Sequence, residues 1–481
     1  MKNWLLVICF SLSTLTLQAQ STFGNEWIRT SQKYLKFSVA QTGVYRVSYQ
    51  DIQAADASFL QTNPTNWQLF FRGREIAIRV VGEKDGVFNS QDYVEFYGEG
   101  NDGSQDSLLY RPQKRLHPYQ TLFSDTTAYF LTNGATSVGK RVPELNNSAQ
   151  GLSPVKFHIQ ETVQAYTSQF TFNNLLGVEP FLQQSYYEPG EGWSGPLLTL
   201  DSVGVVSMRL TGRVTNDWPI TLESMVNGRD NTLHQVQVTQ NASTTPMTTL
   251  TFSGFVSQTF QSIISPGSLQ NEQLVLRFKA IKNSTINNFS ITYARITYPQ
   301  LTDMTGLTSK VFRLVPNTGS TSLLAITNAP ANALAYDITD KANCRFITAQ
   351  TSSDQTQLVV SEANQSRTLF VTSQISKPKI KAVHFSSNFP KATDYVIITH
   401  SSLRQSATTY AAYRASSQGG SIHRLLLRPI RCTTNSIMEK EAHWRYVGLL
   451  ISCGPIRLSN TCFWLGGQIA IRIILKRLPM I

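Results

Sequence analysis

Cys344 and His400 are of the residue types that carry out nucleophilic catalysis, because a thiolate can attack a carbonyl carbon while an imidazole moves the proton. Cys344 lies in a strand-like run, residues 344–347 (CRFI), with no acid–base partner nearby in sequence. We therefore interpret it as a buried structural thiol. His400 lies at the carboxyl end of a predicted strand, where the sites of α/β domains usually form. We expect it to line or cap a loop there.

Carboxylates occur at close spacing beside glycines in two stretches near the N-terminus, at Asp85 and Asp92 and at Asp102 and Asp106. Calcium prefers such clusters of oxygen ligands. The spacing does not match the EF-hand pattern, however, and Asp-Gly pairs are also typical of tight hairpin turns. We interpret both stretches as turns, with a calcium site on these four aspartates as the alternative.

Two further groups of residues have ligand-binding chemistry. The first contains thiols and imidazoles, the ligands of zinc, at Cys432, Cys453, Cys462, His423 and His443. Their spacing is irregular, with no C-x-x-C or H-x-x-x-H pair, so the sequence predicts no zinc site.

The second group is aromatic and consists of Trp193, Tyr186 and Tyr187, which flank residues 189–192 (PGEG). Such rings could form a platform for a glycan. Because large aromatic side chains mostly serve burial, we interpret them as packing residues.

The elements that position these residues are predicted to be mainly β-strands. Residues 22–150 alternate short apolar runs with Gly, Asn and Asp and predict a small β domain. Residues 155–300 show the clearest alternation, as in Val206 and Met208, and favour an antiparallel β-sandwich or jelly roll. Residues 305–390 add a further β segment.

The pattern changes near residue 391. Residues 394–400 (DYVIITH) are a nearly continuous apolar run, typical of a parallel strand covered on both faces, and residues 403–415 predict a helix. Residues 391–420 are therefore predicted to be the first strand and helix of an α/β domain.

Residues 1–19 are predicted to be a secretory signal peptide. Lys2 supplies the positive charge, residues 4–17 the apolar stretch and Ala19 the small residue at the cleavage point. No later segment has eighteen consecutive apolar residues, so the sequence predicts no transmembrane helix beyond the signal.

The charge of the chain is uneven along its length. The 481 residues carry a net charge of +12, and +7 of it lies after residue 420, where nine basic residues stand against two acidic ones. Residues 1–420 lack the strong positive excess that nucleic-acid binding requires, so we exclude nucleic acid as a partner.

Five short stretches resemble the gingipain-type cysteine peptidases of Bacteroidetes, and among them the PorU-like sortases of the type IX secretion system. They are residues 43–47 (GVYRV), 92–103 (DYVEFYGEGNDG), 122–132 (LFSDTTAYFLT), 394–399 (DYVIIT) and 410–414 (YAAYR). The resemblance covers about residues 25–420 and implies export in a Gram-negative bacterium, to the periplasm, the outer-membrane surface or the medium. It also implies protein substrates, type IX secretion components as partners, and a caspase-like peptidase domain with a His general base and a Cys nucleophile.

No residue of this chain matches that His and Cys, and residues 421–481 explain why. Translated one base out of register, residues 431–449 can be read as LYDQFNYGERSPLAIRRF and residues 459–467 as KYLFLVGR, as expected of a gingipain-type domain after its first helix. We therefore interpret 421–481 as an out-of-frame tail. The alternative is a genuine basic tail with a membrane-binding segment at 469–481.

The sequence thus predicts a fragment of a secreted gingipain-like cysteine peptidase that is inactive because the His/Cys dyad is absent. A non-enzymatic exported β-sandwich protein that binds glycans or a cell-surface partner is the alternative.

Overall fold

A computed structural model describes residues 26–110, 114–134, 137–172, 187–282, 285–352, 355–385, 395–398 and 403–422, together with the backbone of five short strands between 424 and 476. The protein is mainly β, as predicted. Its contacts divide it into two units, one of residues 1–34, 70–74 and 383–481 and one of residues 35–69 and 75–382. Within the described part, no helix has the length and apolarity needed to cross a membrane.

The N-terminal segment contains short strands and, in its described part, one α-helix. Its elements are β1 (Tyr34–Val39), β2 (Gly43–Ser48), α1 (Tyr49–Asp56), β3 (Trp67–Phe71), β4 (Arg74–Ile76), β5 (Arg79–Val81), β6 (Tyr93–Gly98), β7 (Thr127–Asn133) and β8 (Glu144–Leu145). Helix α1 begins at a capping box, in which the Ser48 hydroxyl accepts from the Asp51 N–H and the Asp51 carboxylate accepts from the Ser48 N–H.

The middle segment is a β-sandwich. Its strands are β9 (His158–Ala165), β10 (Gln169–Thr171), β11 (Gly192–Ser194), β12 (Val203–Arg209), β13 (Ile220–Gly228), β14 (Leu233–Gln240), β15 (Thr248–Ser253), β16 (Ser257–Ile264), β17 (Gln273–Ala280) and β18 (Phe289–Gln300). One layer is the sheet β12-β17-β14-β15, and β16-β13-β18-β9 belong to the other. Apolar residues from both layers, such as Val206, Leu276 and Ile296, fill the core between them.

The next segment continues that second layer. Its strands are β19 (Ser309–Leu314), β20 (Thr321–Thr327), β21 (Leu334–Asp337), β22 (Arg345–Ile347), β23 (Gln350–Ser352), β24 (Gln355–Ser361), β25 (Arg367–Thr372), β26 (Ile375–Ser376) and β27 (Lys379–Val383). A nine-stranded sheet runs β16-β13-β18-β9-β19-β25-β21-β22-β8, and the sheet β20-β24-β23 supplies the residues that pack against its second half.

The C-terminal segment contains β28 (Tyr395–Ile398), α2 (Arg404–Ala415), β29 (Arg424–Leu427), β30 (Arg457–Ser459), β31 (Phe463–Leu465), β32 (Gln468–Ala470) and β33 (Arg472–Lys476). Strands β28 and β29 pair in parallel on either side of α2 in the sequence, and β33 pairs with β28 antiparallel. Strand, helix and parallel strand follow one another as in a βαβ unit.

Short 3-10 helices connect several strands. They are Ala57–Gln61, Pro64–Asn66, Glu83–Asp85, Ser104–Leu109 and Pro266–Ser268.

Candidate functional site

A charged cleft of about 380 Å³ lies where the turn between β21 and β22 faces the loop before β8. The charged residues that line it are Lys140, Arg141, Asp337, Asp340, Arg345 and Arg367. Its volume falls in the range of about 300 to 1,000 Å³ that is typical of small-molecule sites.

Side-chain hydrogen bonds fix the β21–β22 turn at the mouth of this cleft. The Asp337 carboxylate accepts from the Thr339 N–H at 3.0 Å and from the Thr339 hydroxyl. The Asp340 carboxylate accepts from the Ala342 N–H at 3.0 Å and from the Asn343 amide at 2.7 Å. Such bonds from Asp to the backbone two residues on are what make Asp a turn-forming residue.

Arg367 is the most buried cation of the cleft, with 7% of its side chain exposed. Its Nε donates to the Glu362 carbonyl at 3.1 Å, its Nη2 contacts the Glu362 carboxylate, and its Nη1 lies 3.6 Å from Asp337 Oδ2. Arg345 Nη2 also lies 2.7 Å from the Glu362 carboxylate. Hydrogen bonds from Arg345 and Arg367 lower the pKa of Glu362, so this carboxylate stays ionised.

The Arg141 guanidinium is fixed by hydrogen bonds from all three of its nitrogen atoms. Both Glu83 carboxylate oxygens accept from its Nε at 2.9 Å, and its Nη atoms donate to the carbonyls of Pro64, Thr65 and Trp67. The cleft therefore presents charged groups in fixed geometry, suited to binding a polar ligand.

A buried ionic network includes Tyr336, which precedes the cleft residue Asp337 on β21. Glu95 is fully buried and accepts from Arg46 Nη2 at 2.6 Å, from Arg79 Nη1 at 2.6 Å and from the Tyr336 hydroxyl. Burial and the Glu95 carboxylate raise the pKa of Tyr336, so the phenol keeps its proton and donates it. The Arg79 guanidinium also stacks 3.9 Å above the Phe346 ring and so ties β5 to β22.

Cys344 lies beside this cleft but does not line it. The thiol is buried, as interpreted from the sequence, and Sγ donates to the Lys341 carbonyl at 3.3 Å. Burial, together with the carboxylates of Asp337, Asp340 and Glu99, raises the pKa of the Cys344 thiol to about 12. These surroundings keep the thiol protonated, which is the opposite of what a nucleophile requires.

The four aspartates considered for calcium lie in two separate segments, with Asp85 and Asp106 in 3-10 helices. Asp85 accepts from the Val87 N–H at 3.0 Å, and the largely buried Asp92 accepts from the Asn89 N–H at 2.6 Å. Asp102 accepts from the Ser104 N–H at 2.9 Å, and Asp106 accepts from the Leu122 N–H at 2.8 Å. Among the residues that the structure describes, no group of three or more His, Cys, Asp or Glu side chains is arranged to hold a metal ion.

The aromatic residues near 190 pack against rings from other parts of the chain. The Trp193 ring meets Phe170 edge-on at 5.4 Å, and the Tyr187 ring lies 5.4 Å from Tyr110. Tyr186, His400 and the zinc candidates His423, His443, Cys432, Cys453 and Cys462 lie outside the described residues.

Sequence reasoning did not find the cleft, because its residues are separated by up to 290 positions, from Ala77 to Arg367. The one local signal was the density of turn-forming and charged residues at 337–345 (DITDKANCR).

Comparison with known proteins gives no match to any family model or to any curated protein. Among solved structures, the fold is similar to dimeric latent PorU from Porphyromonas gingivalis, with a TM-score of 0.54 and 12% identity over 87% of this chain and 40% of that one. The chain thus spans less than half the length of that protein. At this identity the likeness shows a PorU-like fold and nothing further.

Two other solved structures match much more weakly. The CBM36-1 domain of a xylanase from the hindgut metagenome of Trinervitermes trinervoides has a TM-score of 0.17 and 10% identity, over 28% of this chain and 96% of that one. SGBP-B from a Bacteroides ovatus mixed-linkage glucan utilization locus has a TM-score of 0.12 and 10% identity, over 53% of this chain and 70% of that one. TM-scores this low carry no argument about the present chain. What the comparisons establish is therefore a mainly β chain with a PorU-like fold.

Proposed function

We propose that this chain is the exported, non-catalytic β portion of a PorU-like cysteine peptidase, together with the start of its peptidase domain, and has no proteolytic activity of its own. The observation that carries this proposal is the PorU-like fold over 87% of the chain. The five short stretches that resemble gingipain-type peptidases support it independently, because they are features of sequence and not of fold.

The environment of Cys344 supports the lack of activity. A cysteine peptidase needs a thiolate whose pKa is lowered by a neighbouring imidazole or another positive group. The charged side chains that shift the pKa of Cys344 are carboxylates, and they raise it.

A peptidase assay tests this proposal directly. The purified 481-residue chain is incubated with casein and with a library of short peptides, with and without iodoacetamide, beside a gingipain-type peptidase as positive control. We expect no cleavage above the buffer rate. Cleavage that iodoacetamide abolishes in this chain would contradict the proposal.

The out-of-frame interpretation of residues 421–481 is part of the same proposal. It accounts for the concentration of basic residues there and for the two family-like strings in one shifted register. Sequencing the gene tests it, and we expect a one-base offset near codon 420. An uninterrupted frame shared with related genes would contradict this part.

Export to the periplasm, the outer-membrane surface or the medium of a Gram-negative bacterium is likewise proposed, with type IX secretion components as partners. The signal-like residues 1–19 support export. N-terminal sequencing of the protein from fractionated cells is expected to show a mature chain that starts at Gln20. An intact Met1 in the cytoplasmic fraction would contradict export.

A second function, non-enzymatic binding at the cell surface, is favoured by the rigid charged cleft beside β21 and β22. Arg345 is a partly accessible cation of that cleft, with 31% of its side chain exposed. Screening the chain against arrays of peptides and glycans tests this function, and Arg345→Ala is expected to weaken any binding in the cleft. Arrays without a bound ligand would count against this second function.

A further inference from the structure

A polar groove lies on the face of β16, β13 and β18 that points away from the sandwich core. Its volume is about 380 Å³. Register pairing sets Glu223 opposite Arg295 on one side and opposite Gln261 on the other. Thr221 in turn stands opposite Thr297 and Ile263, so these six side chains share one face of the sheet.

The charged groups on this face form a continuous chain of contacts across the sheet. Arg295 Nη2 lies 2.8 Å from Glu223 Oε1 and its Nη1 3.7 Å from Glu161 Oε2. Arg313 Nη2 lies 3.4 Å from Glu161 Oε1, and the Gln261 amide donates to Glu223 Oε2 at 2.7 Å. Two arginines and two glutamates thus neutralise one another. Hydrogen bonds from Gln261 and Tyr293 and the Arg295 charge outweigh burial and lower the pKa of Glu223, so it stays ionised.

Aromatic side chains lie beside these charged groups. The half-buried Tyr119 ring packs edge-on against Tyr293 at 5.3 Å, and the Tyr293 hydroxyl donates to Glu223 Oε1 at 2.8 Å. Ile263, which lines the groove, is 73% exposed. The groove therefore has planar polar groups next to apolar surface.

The chemistry of these groups selects among possible ligands. A charged ligand gains little Coulomb energy from a face whose charges already cancel. An apolar helix or strand would bury the Glu223 and Arg295 charges without replacing the hydrogen bonds that they make with water. A neutral ligand rich in hydroxyl groups can both donate to the carboxylates and accept from the guanidinium and amide groups, while its C–H faces contact Tyr119 and Ile263.

We propose that this groove binds a neutral oligosaccharide. This site rests on the second function above, non-enzymatic binding, but it lies on the sandwich and not in the charged cleft, so Arg345→Ala is expected to leave it unchanged. It requires neither a peptidase domain nor the tail. Glu223 and Arg295 are the central hydrogen-bonding groups, and Ile263 and Tyr119 supply the apolar contacts.

Isothermal titration of the full chain with cellohexaose, xylohexaose, mannohexaose and laminarihexaose tests this inference. We expect at least one of these neutral hexasaccharides to bind, with an affinity unchanged between about 50 and 500 mM NaCl, because no net charge is involved. Failure of all four to bind would overturn the inference, as would an affinity that falls with salt.

Two variants and a matched control locate the binding. Glu223→Gln removes a charged acceptor and is expected to weaken binding about tenfold, because a hydrogen bond to a charged group is stronger than one to a neutral amide. Ile263→Ser, at an exposed position where folding is little affected, is expected to weaken it severalfold by loss of apolar contact. Glu272→Gln removes a carboxylate that lies 2.6 Å from Arg213, outside the groove, and is expected to leave binding unchanged. Wild-type affinity in a folded Ile263→Ser variant, together with wild-type affinity in Glu223→Gln, would contradict the assignment.

Discussion

Glu95 is a fully buried carboxylate that lies between two arginines and a tyrosine. Without the Glu95 charge, no carboxylate at that point compensates the positive charges of the Arg46 and Arg79 guanidinium groups. We expect Glu95→Gln to lower the free energy of unfolding by about 3 to 5 kcal/mol. Urea unfolding followed by fluorescence measures this change in the free energy of unfolding.

Glu144 provides a matched control for that prediction. It contacts the same Arg79 at 2.8 Å, but 58% of its side chain is exposed. Solvent screens this ion pair, so Glu144→Gln is expected to change the free energy of unfolding by no more than about 1 kcal/mol. Equal losses in the two variants would show that burial is not what makes the Glu95 network important.

Cys344 yields a prediction about reactivity. Because the pKa of its thiol is raised from 9.0 to about 12, we expect alkylation by iodoacetamide at pH 8 to be roughly a thousandfold slower in the native chain than in denaturant. Mass spectrometry of the peptide that contains Cys344 measures the rate apart from the other cysteines. Rapid alkylation of the native thiol would mean that its pKa is not raised.

At the scale of elements, glycines in the left-handed region fix the acidic turn between β5 and β6. Gly82 has φ +97°, and a Cβ there would meet Asp92 Oδ1 at 1.9 Å. Gly86 has φ +78°, but a Cβ there would meet nothing closer than the Asn63 amide at 3.6 Å. A substitution at either position would therefore strain the backbone, but only a substitution at Gly82 would also clash with Asp92.

We expect Gly86→Ala to cost about 1 to 2 kcal/mol through backbone strain alone. Gly82→Ala is expected to cost about 1 to 3 kcal/mol more, because it displaces Asp92 from the Asn89 N–H. Thermal unfolding of both variants measures the difference, and equal melting temperatures would contradict the role of Asp92 in this turn.

Strand alternation was the part of the fold that the sequence predicted best. Val206, Met208 and Leu210 are buried, while Ser207 and Arg209 are exposed, because side chains alternate across a strand with one face in the core. The alternation of side chains does not indicate which strands pair with each other. The pairing of β9 with β19, which joins the middle segment to the next one in a single sheet through Arg313 and Ile159, was therefore not foreseen.

At the scale of the whole molecule, two buried histidines make stability depend on pH. Burial lowers the pKa of His158 to about 3, and burial together with Arg115 lowers that of His117 to about 4. Both are neutral in the folded chain at pH values where the unfolded chain, with an ordinary pKa of about 6.5, binds protons. The contribution of these two histidines to the free energy of unfolding is therefore fully present above about pH 6.5 and is lost as the pH decreases below that value.

Between pH 6 and pH 5, we expect each histidine to lower the free energy of unfolding by about 1.4 kcal/mol per pH unit. His158→Gln removes one of the two groups and is expected to halve this part of the slope. Urea unfolding at pH 7, 6 and 5 measures it, and an identical slope in the variant would contradict the prediction.

The sequence by itself determined the mainly β class and the alternation of strands, because these follow from local backbone preference and from the period of apolar residues. It also carried the change in charge after residue 420, which is read from the residues without reference to the fold. Only the tertiary structure decided that Glu95 is buried between Arg46 and Arg79, and which charged residues surround the cleft. Strand pairing between residues far apart in the chain determines which charged side chains lie next to each other. Burial then determines how strongly solvent screens their interaction.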